Sequence, residues 1–493
     1  MMIVASLLRP VRTMAAMRMA ATIATGMLYG AIVASLGCSP SSLVDVQNPG
    51  SVVNPSLVQT ASGASQLRTA ALFSLLGAYG ADSYNSVISM SGTLTDEMQD
   101  PYYSGQSGDD RQLLNVTDQR PYNAQGFGYG TIQQARVAIR QAIEALQLYA
   151  TNSPQVPRAW QGELYALQGY TIVWLAELYC SGIPLSASSL KGVQVPTRGL
   201  STEELLTTAV AYFDSAMVVS ADSVRFVNLA RIGKARALVD LGRYATADTV
   251  AGPVPTDFIY RLPSVISGPG PRFNFPNDEA YGTFRVQDHE GGNGLIWSAD
   301  PRTGVTTVPD YTGPMLWPSK YNVDTIAGVL DPTTQKTGLR PKFAEGVEAR
   351  LIQAEAALAR GDGSWLTILN TLRATCIGTA SCAPVPGITA ASLPPLTDPG
   401  TATRIDTLMK ERAMWLYLTG HREGDLRRMA RQYGRNPNTL WPTGVMSQPA
   451  YPDWFPDAGI ENGALYGPDT VYGPDVNEKV RNVLYSGCID TAP

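Results

Sequence analysis

Apolar residues recur at helical spacing along most of this 493-residue chain. In the clearest stripe successive apolar residues are three or four positions apart, with Gln and Arg between them; it consists of Ile132, Ala135, Ile139, Ile143 and Leu146. A similar stripe begins near residue 65, and further helices are predicted over residues 157–180, 343–360, 365–376 and 402–433. Ser201 and Glu204 form a capping box that opens another helix. The pattern therefore predicts a mainly α-helical fold.

Two segments resemble tetratricopeptide helices. Residues 230–245 place small side chains on one face and end in a Leu-Gly turn followed by Tyr244 and Ala245, and residues 349–359 repeat the small-residue pattern. The helix pairs do not recur at the even period of about 34 residues that a regular array has. We therefore expect a tetratricopeptide-like helical scaffold with long irregular loop insertions.

The longest predicted insertion covers residues 251–340. It lacks a helical period and is rich in Pro, Gly and aromatic residues. A structureless segment of this length is uncommon in a compact domain unless it is functional. We expect it to form part of a binding face on one domain that spans residues 61–493.

The N-terminus has the composition of a secretory signal. Arg9, Arg12 and Arg18 precede an apolar, small-residue run, Met19 to Leu36, and no acidic residue occurs before Asp45. Gly37 and Cys38 follow, so residues 1–37 are predicted to be a lipoprotein signal peptide, Cys38 the lipidated residue and residues 38–60 a tether. The alternative is a transmembrane anchor, because the run is about as long as the roughly 18 residues that a span needs.

Composition narrows the class of function. The formal net charge is −5 and only 16% of residues are charged, so the chain has no basic footprint for nucleic acid. The hydrophobic fraction of 44% is sufficient for a large core.

Four cysteines remain when Cys38 is set aside, and they allow three pairings. Cys376 and Cys382 flank a short Gly-containing loop that could close on itself, which would leave Cys180 to pair with Cys488. Zinc is the alternative, but the spacing does not suit it and the chain has only two His. We predict no metal and no cofactor.

One loop concentrates acidic side chains, namely Asp96, Glu97, Asp100, Asp109 and Asp110. Paired carboxylates could hydrolyse a glycosidic bond, and hard oxygen ligands could bind calcium. A solvated or cation-binding acidic loop remains the simpler interpretation.

Aromatic residues in loops rich in Gly and Pro are the candidate ligand contacts. Flat rings can stack on the apolar faces of sugars and are stiff, so they lose little entropy on binding. The candidates are Tyr102, Tyr103, Trp297, Tyr311, Trp317 and Tyr321.

Charged residues are also dense between Glu411 and Arg428. Arg422, Asp425 and Arg428 are predicted to lie at or just past a helix end, where charge pairs and caps usually orient the chain. We interpret this cluster as structural rather than catalytic.

Four segments together resemble the SusD/RagB-like outer-membrane lipoproteins. They are the Asn-Pro segment Leu43 to Gly50, the helix from Gly162 that runs to Gly182-Ile183-Pro184-Leu185, Ala349 to Ala357 with Asn370 and Arg373, and Glu411-Arg412 with Gly420-His421-Arg422 to Arg428. Together, in this order and spacing, the four segments extend over nearly the whole chain after Cys38.

The resemblance implies a function without chemistry. A SusD-like protein would be anchored by lipid to the outer membrane, exposed at the cell surface, and partnered with a TonB-dependent, SusC-like β-barrel transporter. It would bind an oligosaccharide or peptide nutrient and deliver it to the barrel. The alternatives are a lipid-anchored helical-repeat adaptor for another protein and a glycoside hydrolase.

Overall fold

Helices dominate the computed structural model, which describes residues 59–81, 85–99, 128–264, 284–286, 288–289, 294–310, 313–318, 320–323, 341–377, 382–385, 393–444, 466–467, 469–475 and 477–493. These residues belong to one compact unit, Val58–Pro493. The predicted signal peptide, Cys38 and most of the tether lie outside the described residues.

The first half of the described chain is a succession of helices. They are α1 (Ala61–Leu76), a π-helical turn (Gly77–Ala81), α2 (Val87–Leu94), α3 (Tyr129–Tyr149), α4 (Ala159–Leu178), α5 (Thr202–Val219), α6 (Val224–Asp240) and α7 (Tyr244–Ala251). The predicted capping box is present at the start of α5, where Ser201 Oγ accepts from the Glu204 amide at 3.2 Å and Glu204 Oε2 accepts from the Ser201 amide at 2.9 Å.

The second half contains α8 (Lys320–Val323), α9 (Gly346–Ala359), α10 (Ser364–Thr375), α11 (Arg404–Trp415), α12 (Arg422–Arg431) and α13 (Glu478–Arg481). The prediction of one helix over residues 402–433 is wrong, because the chain turns between α11 and α12. Leu418 has φ +50° and Gly420 has φ +73°, a left-handed conformation that no α-helix continues through.

Strands are short and antiparallel. β1 (Ile183–Pro184) pairs with β4 (Gly199–Leu200), β2 (Ala187–Ser188) with β3 (Gln194–Val195), β5 (Ile259–Arg261) with β8 (Lys342–Glu345), and β6 (Thr306–Asp310) with β7 (Gly313–Trp317). The predicted insertion therefore contains regular structure, in β5, β6, β7 and α8.

Small residues set the packing of the central helices. α4 is buried on nearly all sides, and Gly169 on α4 and Gly233 on α6 both face Phe213 of α5. A Cβ at these glycines would lie 2.7 and 2.4 Å from the Phe213 ring. The small-residue ridge predicted near residue 233 thus permits three helices to approach closely, as in tetratricopeptide pairs.

A second core lies among α9, α10, α11 and α12, around Trp365, Leu408 and Trp441. The polar faces of these helices meet one another as well, and they form the cluster described next.

Candidate functional site

Asp425, in the first turn of α12, is the centre of a buried ionic network. Arg412 of α11 donates to it at 3.0 and 2.9 Å, and Arg428 donates to it at 2.6 Å. Arg428 also donates to Glu355 at 3.1 and 3.2 Å and to Asp240 at 2.7 Å. Burial opposes ionisation of Asp425, but the two guanidinium groups outweigh it and hold the pKa of Asp425 well below its usual range.

A second buried ion pair joins α12 to the segment that follows α2. Arg422 donates from Nε and Nη2 to the two carboxylate oxygens of Asp96, at 2.7 and 3.0 Å. Next to it, Glu97 Oε1 accepts from the Leu418 amide at 3.0 Å. Asp96 and Glu97 are 3% and 1% exposed, so this part of the predicted acidic loop is buried rather than solvated. Asp100, Asp109 and Asp110 lie outside the described residues.

A separate group of ion pairs holds the middle of the insertion. Arg302 donates to Glu411 at 2.6 and 3.1 Å and to Asp300 at 2.8 and 2.7 Å. Arg373 of α10 donates to the same Glu411 at 2.7 Å. Glu411 therefore joins the insertion to α10 and α11, which fits the structural interpretation of the cluster.

Arg427 has a different role, at the C-terminus of α4. Its Nη1 donates to the carbonyl oxygens of Ala176, Glu177 and Tyr179 at 2.6, 2.8 and 3.1 Å. A cation is favourable where a helix leaves its last carbonyls unpaired. Burial lowers the pKa of Arg427 to about 10, which leaves it charged at neutral pH.

His421 is buried beside this network, with polar side chains next to both ring nitrogens. Its Nδ1 lies 2.8 Å from Thr419 Oγ1, and its Nε2 lies 3.1 Å from Glu348 Oε1. Burial, together with the charge of Arg236, lowers the pKa of His421.

Two of the six predicted aromatic contacts lie in the core. Trp297 is 1% exposed, and its ring centroid lies 5.0 Å from that of Tyr417. Tyr321 is 4% exposed and donates to the Leu418 carbonyl oxygen at 2.6 Å. The structure corrects these two assignments to packing roles, because the rings are covered by protein.

The other aromatic candidates are not placed by the structure. Tyr102, Tyr103 and Tyr311 lie outside the described residues, and Trp317 ends strand β7 with a side chain that is not described. They stay predictions.

The two favoured disulfides are both present. Cys180 and Cys488 are bonded across 308 residues, and Cys376 and Cys382 across 6. The first bond attaches the C-terminal tail to the end of α4, where the Cys180 amide also donates to the Tyr472 carbonyl oxygen at 2.9 Å.

Asn370 and Arg373 hold the segment that precedes α11. The Asn370 side chain donates to the Leu396 carbonyl oxygen at 3.0 Å and accepts from the Leu396 amide at 2.7 Å. Arg373 Nε donates to the Pro394 carbonyl oxygen at 2.7 Å. The Asn-x-x-Arg pair of the sequence motif therefore binds the backbone of residues 394–396 to α10.

The described part of the chain meets neither the requirements of a metal site nor those of a membrane-spanning helix. No group of three or more His, Cys, Asp or Glu side chains there could hold a metal ion. No helix within the same residues has the length and apolar character needed to cross a membrane.

Comparison with solved structures identifies the architecture. A SusD superfamily protein from Bacteroides vulgatus has a TM-score of 0.60 at 15% identity, covering 87% of this chain and 99% of that one. The chain has the SusD-like fold. A SusD-like carbohydrate binding protein from the same species gives a TM-score of 0.55 at 14% identity over 86% and 97% of the two chains. Surface glycan-binding protein A from Bacteroides uniformis gives 0.56 at 11% identity over 87% and 99%. No family model and no curated protein matches the sequence.

The SusD-like fold confirms the predicted fold class. The structure also shows where the residues of the Glu411–Arg428 motif lie. Glu411, Arg412, Arg422, Asp425 and Arg428 all form buried ion pairs. The sequence resemblance is thus carried by residues that assemble the scaffold.

The structure also contains a cleft that the sequence analysis did not find. It has a volume of about 520 Å³ and lies between α11, the chain after α12 and residues 294–295 of the insertion. Its residues on α11 recur at helical spacing, but that spacing alone does not distinguish a cleft wall from a solvated helix face.

Proposed function

We propose that this protein is a lipid-anchored outer-membrane protein that binds oligosaccharide at the cell surface and delivers it to a TonB-dependent, SusC-like β-barrel transporter. The observation that carries the proposal is the SusD-like fold along 86–87% of the chain, shared with proteins described as carbohydrate-binding and surface glycan-binding. The signal-like N-terminus with Cys38 supports the anchor.

Binding without catalysis agrees with the buried carboxylates. A glycoside hydrolase places two carboxyl groups on either side of the scissile bond. Asp96 is paired with Arg422, and Glu97 accepts from the Leu418 amide, with both side chains buried. Neither reaches a sugar in this arrangement.

Ligand binding is tested with the purified chain that begins after Cys38. We expect one or more oligosaccharides of a glycan array to bind, confirmed by isothermal titration calorimetry, and no reducing sugar to be released on long incubation. Binding to peptides alone in a parallel peptide library would replace oligosaccharide by peptide as the nutrient. Sugar release would support a hydrolase instead.

Anchor and partner are tested together in cells. We expect affinity purification of the tagged full-length protein from detergent-solubilised outer membranes to recover a stoichiometric β-barrel transporter. Cys38→Ser is the matched control, since it should abolish incorporation of labelled fatty acid and release the protein from the membrane fraction. Recovery of the wild type without a barrel would contradict the transporter proposal and favour a helical-repeat adaptor.

A further inference from the structure

The C-terminal tail and the β2–β3 hairpin carry a group of exposed aliphatic side chains. Among the described residues, ten large hydrophobic side chains are exposed, and six of them, which we call the aliphatic patch, lie on these two segments: Val193, Val195, Val480, Val483, Leu484 and Ile489. Val480 and Val483 are 81% and 88% exposed. Exposed apolar side chains usually occur singly, so six on adjoining segments indicate a contact surface.

Hydrogen bonds hold the tail against the hairpin. Asn482, which lies between two members of the patch, donates from Nδ2 to Ser186 Oγ at 3.1 Å and to the Thr197 carbonyl oxygen at 2.9 Å. Ser186 comes just before β2 and Thr197 soon after β3, so these bonds reach the base of the hairpin. Farther along the tail, the Ile489 amide donates to the Ser181 carbonyl oxygen at 2.7 Å, next to the long disulfide. The aliphatic patch therefore belongs to a surface that is fixed at two points.

The free charges around the aliphatic patch are mainly positive. Lys191, in the turn of the hairpin, and Lys479, in α13, are exposed, and neither ammonium group has a partner among the described residues. Of the acidic residues in the tail, Asp475 is ion-paired, Glu478 is half-buried and Asp490 is exposed. The chain as a whole has a formal net charge of −5, so this surface departs from the overall balance. It complements an anionic partner.

The composition of this surface favours lipid rather than protein as the partner. Protein–protein interfaces are enriched in aromatic residues, Met and Arg and are poor in Lys. The patch instead combines Val, Leu and Ile with flanking lysines. Surfaces that lie in a bilayer interface have this combination, because aliphatic groups enter the acyl boundary while cations contact anionic headgroups.

We propose that the aliphatic patch binds an anionic lipid surface, with its aliphatic side chains at the acyl boundary and Lys191 and Lys479 at the headgroups. The long lysine side chains allow the ammonium groups to stay in the headgroup layer while the valines lie deeper. This contact goes beyond the proposed function, because it adds a second attachment to the anchor at Cys38 and sets which side of the protein faces the bilayer.

Binding to vesicles tests the proposal without the lipid anchor. The purified chain that begins after Cys38 should cosediment with equimolar phosphatidylglycerol–phosphatidylcholine vesicles. Val480→Ser/Val483→Ser should bind at least about fivefold more weakly, because the two most exposed apolar side chains no longer gain from leaving water. Val218→Ser/Val224→Ser, the same change at positions 73% and 71% exposed on α5 and α6, is the matched control and should bind as the wild type does. Thermal unfolding checks that each variant is folded.

The contribution of charge is tested with Lys191→Gln/Lys479→Gln. This variant should bind the mixed vesicles more weakly than the wild type, and added NaCl should reduce the difference, because salt screens exposed charges. Lys410→Gln, at an exposed position of α11, is the control and should bind as the wild type does. Equal binding of the wild type to mixed vesicles and to pure phosphatidylcholine vesicles would contradict an anionic lipid partner.

Two further results would overturn the proposal: no binding of the wild type to the mixed vesicles, or equal binding by the wild type and Val480→Ser/Val483→Ser. Loss of the co-purifying barrel from full-length Val480→Ser/Val483→Ser, with vesicle binding unchanged, would replace the lipid surface by a protein partner. Vesicle binding that depends on the two valines supports the proposal even if Cys38 takes up no fatty acid, a result that would overturn the proposed anchor alone.

Discussion

Arg422 and Asp96, which are 326 positions apart in the chain, form a two-point ion pair inside the protein. Their side chains are 2% and 1% exposed. The pair joins the segment after α2 to the first residue of α12, and thereby connects the N-terminal helices to the second core.

Breaking this pair should be costly. Arg422→Met leaves Asp96 buried without its counter-ion, and loss of one partner of a buried pair typically lowers the free energy of unfolding by about 3–5 kcal/mol. The double variant Arg422→Met/Asp96→Leu should recover part of the loss, since no charge is then left unpaired. Urea denaturation measures all three proteins. Arg198→Ala, which breaks the exposed pair with Glu204, is the control, and its free energy of unfolding should be close to that of the wild type.

Glu97 should make the protein less stable as the pH rises. Burial raises the pKa of Glu97 to about 8, while the Leu418 amide, Arg422 and Lys320 lower it and Asp96 raises it. Between the ordinary carboxyl pKa and about 8, the folded state therefore holds a proton that the unfolded state has released. The stabilisation is complete at low pH and is lost towards pH 8, by at most about 1.4 kcal/mol per pH unit.

Glu97→Gln isolates that contribution, because the amide oxygen can still accept from the Leu418 amide. We expect the variant to gain stability relative to the wild type as the pH is raised from 5 to 8.5, as measured by denaturation at both values. A constant difference between the two proteins across this range would contradict a protonated Glu97.

Removal of the long disulfide should destabilise the protein more than removal of the short one. In the chain-entropy account, stabilisation grows with the loop that is closed, from about 2 kcal/mol for a loop of 6 residues to about 5 kcal/mol or more for one of 308. Cys180→Ser/Cys488→Ser and Cys376→Ser/Cys382→Ser can be compared by denaturation under oxidising conditions. Equal losses would mean that the tail is held mainly by its other contacts, such as the bond from the Cys180 amide to Tyr472.

Asn370→Ala should release residues 394–396 without unfolding α10. The variant loses both bonds to Leu396, and the half-buried backbone groups left unpaired cost about 1–3 kcal/mol. Hydrogen exchange should therefore become faster at the Leu396 amide and stay unchanged within α10. Thr371→Ala, at the exposed neighbouring position, is the control and should leave the Leu396 amide protected.

Gly233→Ala should push α5 and α6 apart. The new Cβ would lie 2.4 Å from the Phe213 ring, and overpacking of this kind typically costs about 1–3 kcal/mol. Gly363→Ala is the matched control, because its Cβ meets nothing within 4 Å and its φ is −65°. Thermal unfolding should show a lower midpoint for the first variant and an unchanged or slightly higher one for the second.

The sequence by itself determined the helices whose signals are local. The apolar pattern predicts a helix over residues 157–180, and α4 spans Ala159–Leu178; Ser201 and Glu204 form the predicted capping box. Apolar periodicity and caps act over three or four residues, so the relevant partners are adjacent in the chain. The small residues that allow Gly233 to meet Phe213 are likewise evident from neighbouring positions in the chain.

Tertiary structure alone decided where the polar and aromatic side chains lie. Trp297 and Tyr321 lie in segments whose composition is typical of ligand contacts. In the structure, however, the Trp297 ring packs against Tyr417 and the Tyr321 hydroxyl donates to the Leu418 carbonyl oxygen, each partner being about a hundred residues away. The turn between α11 and α12 interrupts a continuous helical pattern, and its carbonyl at Leu418 is the one that Tyr321 binds. Burial and ion pairing depend on which distant segments meet, and no local pattern specifies that Asp96 will face Arg422 or that Leu295 will close a cleft beside α11.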